Sequence, residues 1–317
     1  MIAKYLLVAI GCMLVVGSIG DLMGPREEIM APENSIYRSE SAETRLMQIY
    51  DERLAEWPIP YEELNLETSY GTVHVIASGP VDAEPVLLLH ASELSATSWA
   101  RNIATFANYR TYAIDHIGEV NKSRLSNVEI YPKTREELAA LYAEIADLLG
   151  VERSMIVGAS NGGFLAMNYA IQYPERATRL ILAGPMGLTP PPLQMGLRLV
   201  AAQFIHLPSI EQATLKWVLG SSPVVLEPYG EWFVTLMRGA FPCVVPPVGI
   251  PSDELAQIQV PVLLILGSHD NVVGNADRAA AAARVMPNVQ IEVLDSAHLV
   301  NWEKSDDVNE SIARFLE

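Results

Sequence analysis

Four short, unbroken apolar runs, each bounded by turn-forming or helix-forming sequence, constrain this chain more than any other feature. They are Pro85-Val-Leu-Leu-Leu-His90, Met155-Ile-Val-Gly158, Leu180-Ile-Leu-Ala183 and Val262-Leu-Leu-Ile-Leu-Gly267. Such runs lack the polar alternation of a strand with one wet face, so they read as strands covered on both sides. Thr72–Ala77, Tyr109–Asp115 and Val289–Leu294 add further strands. Between them lie helical segments. Thr134 caps one, with Leu138, Leu141, Ile145, Leu148 and Leu149 on one face and Gly150 at its end. Others cover Gly162–Gln172, the Ala-rich Asp277–Val285 and the closing Asp307–Leu316. Strands alternating with helices predict an α/β fold: a mostly parallel central sheet with helices on both faces. A chain of 317 residues, half of them hydrophobic, is long enough for one such domain plus an insertion.

The insertion is visible where the alternation stops. Residues 186–251 are proline-rich, have no buried-strand run and carry Trp217, Trp232 and Phe233. They read as a largely helical cap between two parts of the core, 58–185 and 252–317. Upstream, residues 21–57 read as a linker followed by a helix capped by Ser41, with Leu46, Ile49, Tyr50 and Leu54 at helical spacing. Residues 1–20 form a hydrophobic leader. Lys4 precedes an uncharged stretch from Tyr5 to Gly20, with Ser18 and Gly20 spaced as a signal peptidase requires. The expectation is a signal peptide or N-terminal anchor, with membrane association through residues 5–20 and a secreted or membrane-anchored protein. The alternative is a buried N-terminal helix in a cytoplasmic one.

The chemistry starts at Gly158-Ala-Ser160-Asn-Gly162, a G-x-S-x-G pattern. Alone it would arise in roughly a tenth of shuffled chains of this composition. Its context adds weight, because an apolar strand precedes it and a helix follows at once. A sharp strand-to-helix turn lifts the serine above the sheet and aims the helix N-terminus, with its free N–H groups, at it. The competing reading is an ordinary turn with a capping serine. A serine hydroxyl needs a base to become a nucleophile. Of six histidines, His298 lies just after the last strand, and the order serine, acid, histidine is the one this topology uses. Asp270, after the Val262–Gly267 strand, is the acid expected to orient it. Asp295 stands too close to His298 in sequence, and Asp115 follows an early strand and reads as structural.

Taken together, His90-Ala-Ser92 followed by Trp99, Tyr112-Ala-Ile-Asp115-His-Ile-Gly118 with Lys122-Ser123, Gly158-Ala-Ser160-Asn-Gly-Gly163, Gly267-Ser-His-Asp270 and Ala297-His298 resemble the α/β-hydrolase superfamily over roughly residues 60 to 317. Within it the chain is most similar to small bacterial carboxylesterases. The resemblance implies an α/β-hydrolase fold with an inserted helical cap. It also implies backbone N–H donors to an oxyanion from Ser92 and Asn161, and a supporting role for His90. The family usually carries glycine where Ala91 stands.

The expected activity is hydrolysis of small neutral or apolar carboxylic esters through an acyl-enzyme. Carbon–carbon bond hydrolysis and cofactor-free haloperoxidase or perhydrolase chemistry use the same three residues and stay open. So does a non-catalytic ligand-binding protein of this fold. Serine at 160 argues against haloalkane dehalogenases and epoxide hydrolases, whose nucleophile is aspartate. Trp232, Phe233, Met186 and Leu188 are candidates to line the substrate pocket, or simply to pack the cap on the core. A net charge of −17 with no Lys/Arg cluster disfavours nucleic acid and favours neutral substrates. The two cysteines, Cys12 and Cys243, make no disulfide framework. No metal cluster and no dinucleotide fingerprint is present in the sequence, so neither metal nor cofactor is implied.

Overall fold

The computed structural model describes residues 35–317. The expected signal or anchor at residues 1–20, and linker residues 21–34, lie outside the described residues.

The first element is helix α1 (Glu40–Leu54). Its cap is Ser39, two residues before the expected Ser41. Ser39 is extended and its hydroxyl accepts the Ala42 N–H at 3.2 Å. Ser41 lies inside the helix, within hydrogen-bond reach of the Ser39 hydroxyl. This register puts Glu40 and Glu43 in the first turn, where carboxylates suit the positive end of the helix.

Next comes a strand that the apolar pattern does not announce. β1 (Tyr61–Thr68) pairs antiparallel with β2 (Gly71–Ser78). β1 lies at the sheet edge and none of its residues is fully buried, so it needs no apolar run. The chain continues through β3 (Pro85–Leu89), β4 (Arg110–Ile114), β5 (Arg124–Leu125), α2 (Arg135–Leu148), β6 (Ser154–Ala159), α3 (Asn161–Gln172) and β7 (Ala177–Ala183). Three helices then interrupt the alternation: α4 (Leu193–Phe204), α5 (Pro208–Leu219) and α6 (Pro223–Gly239). The chain re-enters the sheet through α7 (Ser252–Leu255), β8 (Val262–Gly267), α8 (Ala276–Ala283), β9 (Val289–Leu294), α9 (Val300–Glu303) and α10 (Ser305–Leu316).

The strand order is β1-β2-β4-β3-β6-β7-β8-β9, with β5 beside β2. Every pair from β4 to β9 is parallel, and β2 runs antiparallel to β1, β4 and β5. The mostly parallel sheet with helices on both faces is as expected. Alternate residues of β3 explain why its apolar run is unbroken. Leu87 and Leu89 enter one core layer with Leu138, Leu141 and Ile145 of α2 and with α3. Val86 and Leu88 enter the opposite layer with α1, α6 and α10. The capping box on α2 is present, Thr134 with Glu137. One residue of its expected apolar stripe departs: Leu148, the last helical residue, is 48% exposed, and Leu149 after it packs inward instead.

Helix α1 braces the three-helix insertion. Leu46, Ile49, Tyr50 and Leu54 share an apolar cluster with Tyr229, Trp232 and Leu236 of α6. Ahead of α1, Tyr37 forms a β-bridge to Ala240, and the Arg38 N–H donates to the Gly239 carbonyl at 2.8 Å. Among the described residues no helix is long and apolar enough to cross a membrane.

A buried polar knot ties α1 to the sheet. The Asp115 carboxylate accepts the Tyr50 hydroxyl at 2.8 Å and the Ala96 N–H at 2.7 Å. His74 faces Asp115 through Nδ1 and Glu63 through Nε2, both at 2.9 Å. Burial opposes charge on His74, but the hydrogen bonds and charges of Asp115 and Glu63 together outweigh it, and the pKa is raised. Burial likewise opposes charge on Asp115, yet His74 and the Ala96 N–H hold its pKa below the ordinary value. The signs fix a window. His74 contributes fully below its unfolded pKa of about 6.5 and loses that contribution as pH rises through its folded value. Asp115 contributes above about pH 4 and loses that as pH falls through its folded value. Urea denaturation of wild type and His74→Gln should therefore differ most between these limits, by about 3 kcal/mol, the usual cost of stripping one member from a buried ion pair. The two curves should converge in acid and again in alkali. A difference that is flat with pH would contradict this assignment of charge.

Candidate active site

Ser160 occupies the turn between β6 and α3. Its backbone has φ 51° and ψ −115°, a left-handed conformation that a side-chain-bearing residue adopts only when its surroundings impose it. They do so here through backbone bonds. The Ser160 N–H donates to Ala183 of β7 at 3.0 Å. Its carbonyl accepts N–H groups of Gly163 at 3.0 Å, Phe164 at 3.2 Å and Met186 at 3.0 Å. Glycine is required beside it: a Cβ on Gly162 would stand 2.0 Å from the Leu89 carbonyl oxygen and 2.6 Å from that of His90. The start of α3 therefore lies directly against the end of β3, and no side chain fits between.

The structure brings the three residues singled out in the sequence into one hydrogen-bonded line. Ser160 Oγ lies 2.7 Å from His298 Nε2, and His298 Nδ1 lies 2.7 Å from Asp270 Oδ2. All three are nearly buried, at 5%, 4% and 4% exposure. The other oxygen of Asp270 accepts the N–H groups of Val272 at 2.8 Å and Val273 at 2.9 Å. That carboxylate can neither rotate nor leave, so His298 keeps its proton on Nδ1 and presents Nε2 as an acceptor for the serine hydroxyl. Gly184, with φ +53°, lies under the pair; a Cβ there would come within 3.0 Å of the His298 carbonyl and 3.5 Å of Asp270 Oδ2. The rival acids are engaged elsewhere. Asp115 belongs to the knot with His74, and Asp295 makes an exposed pair with His269 at 3.0 Å.

Two stretches carry the expected oxyanion donors. Asn161 is the first residue of α3, where N–H groups have no intrahelical carbonyl to bond. Ser92 lies in a turn closed by the Leu94 N–H donating to the Ala91 carbonyl at 3.1 Å. His90, at the end of β3, donates from Nδ1 to the Ala91 carbonyl at 2.8 Å and accepts the His116 N–H on Nε2 at 3.0 Å. His116 donates from Nε2 to the His90 carbonyl at 2.9 Å, leaving Nδ1 to accept the Tyr142 hydroxyl. Each imidazole thus has one donor and one acceptor role, which only the neutral form satisfies. Burial pushes the His90 pKa down to about 4 and that of His116 well below the ordinary value. The sequence points to a supporting role for His90, but nothing in it marks His116 and Tyr142 as its partners.

Two buried carboxyl groups were also missed, because nothing in the sequence marks a carboxyl as buried. Glu119 accepts the Glu93 N–H at 2.7 Å and the Ser92 hydroxyl at 3.4 Å. Burial raises the Glu119 pKa well above its usual range, with the nearby Glu93 adding to it, and burial alone raises Glu93 to about 7.

The four pocket candidates lie in different places. Met186 comes just after β7, donates its N–H to the Ser160 carbonyl and is buried with Leu188, Phe164 and Ile250 in one core layer. Trp232 is fully buried in the opposite layer, where its indole N–H donates to the Glu93 carbonyl at 2.6 Å. Phe233, beside it on α6, is half-buried against that same layer. The three-helix insertion also touches the Asp270 loop, where the Asn271 amide donates to the Trp217 carbonyl at 3.1 Å. Among the described residues no group of three or more His, Cys, Asp or Glu side chains could hold a metal ion.

Comparison with known proteins agrees with this architecture. The family model for the alpha/beta hydrolase fold matches residues 84–206. The uncharacterized carboxylesterase nap of Bacillus subtilis is 32% identical over 290 residues, covering 86% of this chain and 92% of that protein. Carboxylesterase YbfK of the same organism is 31% identical over 290 residues, covering 86% and 93%. The crystal structure of naproxen esterase (carboxylesterase NP) from Bacillus subtilis superposes with a TM-score of 0.79 at 30% identity, over 86% of this chain and 98% of that one. Sequence identity across most of both lengths, with the same fold, places this chain in the α/β-hydrolase family.

Proposed function

We propose that the protein is a serine carboxylic-ester hydrolase acting on small neutral or apolar esters through an acyl-enzyme. The observation that carries this reading is the pair of 2.7 Å contacts linking Ser160, His298 and Asp270. The two Bacillus relatives named as carboxylesterases support it.

In this reading Ser160 Oγ attacks the ester carbonyl carbon as His298 Nε2 takes its proton. Asp270 stabilises the imidazolium without itself being protonated. The negative charge that develops on the carbonyl oxygen is met by the Asn161 and Ser92 N–H groups, which act where water is excluded and are already oriented. Collapse of the tetrahedral intermediate breaks the bond to the alcohol, which leaves with the proton from His298. Water then attacks the acyl carbon, His298 takes its proton, and release of the acid regenerates Ser160. The apolar Met186 and Leu188 beside the serine turn, and the acidity of the whole protein, favour uncharged acyl groups.

With p-nitrophenyl butyrate, Ser160→Ala should lower kcat by about 10⁴-fold or more, and Asp270→Asn by about 10⁴-fold, because the amide favours the wrong histidine tautomer. Both variants should melt close to wild type. An active Ser160→Ala protein would reject the assignment outright. A panel of p-nitrophenyl esters graded by acyl length, with a dienoic ketone included, then defines the substrate. Cleavage of the ketone alone would move the reading to carbon–carbon bond hydrolysis. The rate should rise with pH as a single group loses its proton and then level off. A rate that does not change between about pH 5 and 9 would argue against a histidine base.

A further inference from the structure

Among the described residues, two that are not glycine have positive φ: Ser160, and Glu93 at φ 65°. Glu93 is the third residue of the turn from Ala91 to Leu94, the position that type II turns ordinarily fill with glycine. A side chain there is strained, because its Cβ crowds the backbone at positive φ. Left alone, the residue would relax to negative φ and swing the peptide that joins it to Ser92.

Both polar groups of its backbone are held, and from different parts of the molecule. The Glu93 N–H donates to Glu119 Oε2 at 2.7 Å, and the same carboxyl takes the Ser92 hydroxyl on its other oxygen at 3.4 Å. The Glu93 carbonyl accepts the Trp232 indole N–H at 2.6 Å. Glu119 lies in the core at 2% exposure. Trp232 belongs to α6, and Arg53 of α1 lies over its ring at 4.9 Å. The side chain of Glu93 contributes no comparable anchor: its Oε2 is buried without a hydrogen-bond partner.

We propose that Glu119 and Trp232 are positioning residues that clamp Glu93 in its left-handed conformation and thereby fix the Ser92 N–H where it can meet the developing oxyanion. This inference rests on the ester-hydrolase reading and deepens it. Neither side chain touches the reacting atoms. Trp232 makes the seating of the three-helix insertion a condition of transition-state stabilisation, rather than only a wall of the pocket.

The test compares Glu119→Leu, Glu119→Gln, Trp232→Phe and the double variant Trp232→Phe/Glu93→Gly in hydrolysis of p-nitrophenyl butyrate. Loss of a fixed oxyanion donor lowers kcat and kcat/KM together. Glu119→Leu and Trp232→Phe should therefore lower kcat by about tenfold to 100-fold with KM within about twofold of wild type. Phosphonylation of Ser160 by a fluorophosphonate should slow in parallel. Glu119→Gln retains a neutral acceptor for the Glu93 N–H and should recover most of the rate. Glu93→Gly, which removes the cost of positive φ, should recover part of what Trp232→Phe loses. If Glu119→Leu does not fold, the Trp232→Phe pair decides. Folded variants with wild-type kcat overturn the clamp, and so does a change confined to KM, which would make Trp232 a substrate contact. A wild-type protein that neither hydrolyses esters nor reacts with the fluorophosphonate overturns the ester-hydrolase reading and the clamp with it. An active wild type with an inactive Ser160→Ala, beside unaffected clamp variants, overturns the clamp alone.

Discussion

The contact between the first turn of α3 and the last residues of β3 is the constraint on which the rest of the molecule depends. Where Gly162 meets the Leu89 carbonyl there is no room for a Cβ. That closeness forces Ser160 into left-handed backbone and brings the free N–H groups of a helix start beside the turn that follows β3. The strain is tolerable because four backbone hydrogen bonds, to β7, to α3 and to Met186, hold the residue in place. A serine at an ordinary helix cap would spend its hydroxyl on a backbone N–H. No such capping bond forms here, and the hydroxyl is available to His298.

The histidine and the aspartate come from loops at the far side of the sheet, and their precision has another source. Asp270 is fixed by two backbone N–H groups of its own loop. His298 is fixed by Asp270. Each group therefore has one rotamer that satisfies its neighbours, and the order is set before any substrate arrives. The same logic runs through the neutral His90–His116–Tyr142 chain beneath the turn after β3, where one donor and one acceptor role per ring leave no freedom for the imidazoles to flip.

How much of this could be read in the sequence follows from the kind of signal each part leaves. Buried parallel strands announce themselves as unbroken apolar runs, so β3, β6, β7 and β8 were legible. So was the order of Ser160, Asp270 and His298, because chain order and placement after strands survive in one dimension. β1 was not legible, since an edge strand with no fully buried residue has no such pattern. The choice of Ser39 over Ser41 depends on where the backbone becomes helical and not on residue type, as both serines can cap. Glu119 and Glu93 were invisible for a deeper reason. Charged residue types signal solvent, and only the three-dimensional path of residues 91–94 and 116–123 shows these two carboxyls to be enclosed. Trp232 reads in the sequence as a pocket wall or a packing residue of the cap, whereas in the structure its indole N–H is engaged with the Glu93 carbonyl.

The bridge between Tyr37 and Ala240, with the Arg38 N–H bonded to Gly239, stitches the segment ahead of α1 to the end of α6. α6 carries Trp232, and α1 supplies the apolar face on which that helix rests. Proteolytic trimming from the amino end that passes residue 36 therefore cuts into these bonds. Loss of residues 36–38 alone would loosen the scaffold of the insertion while leaving α1, its knot with the sheet and the three aligned side chains in place, so a protein trimmed to that point would remain folded yet catalyse poorly.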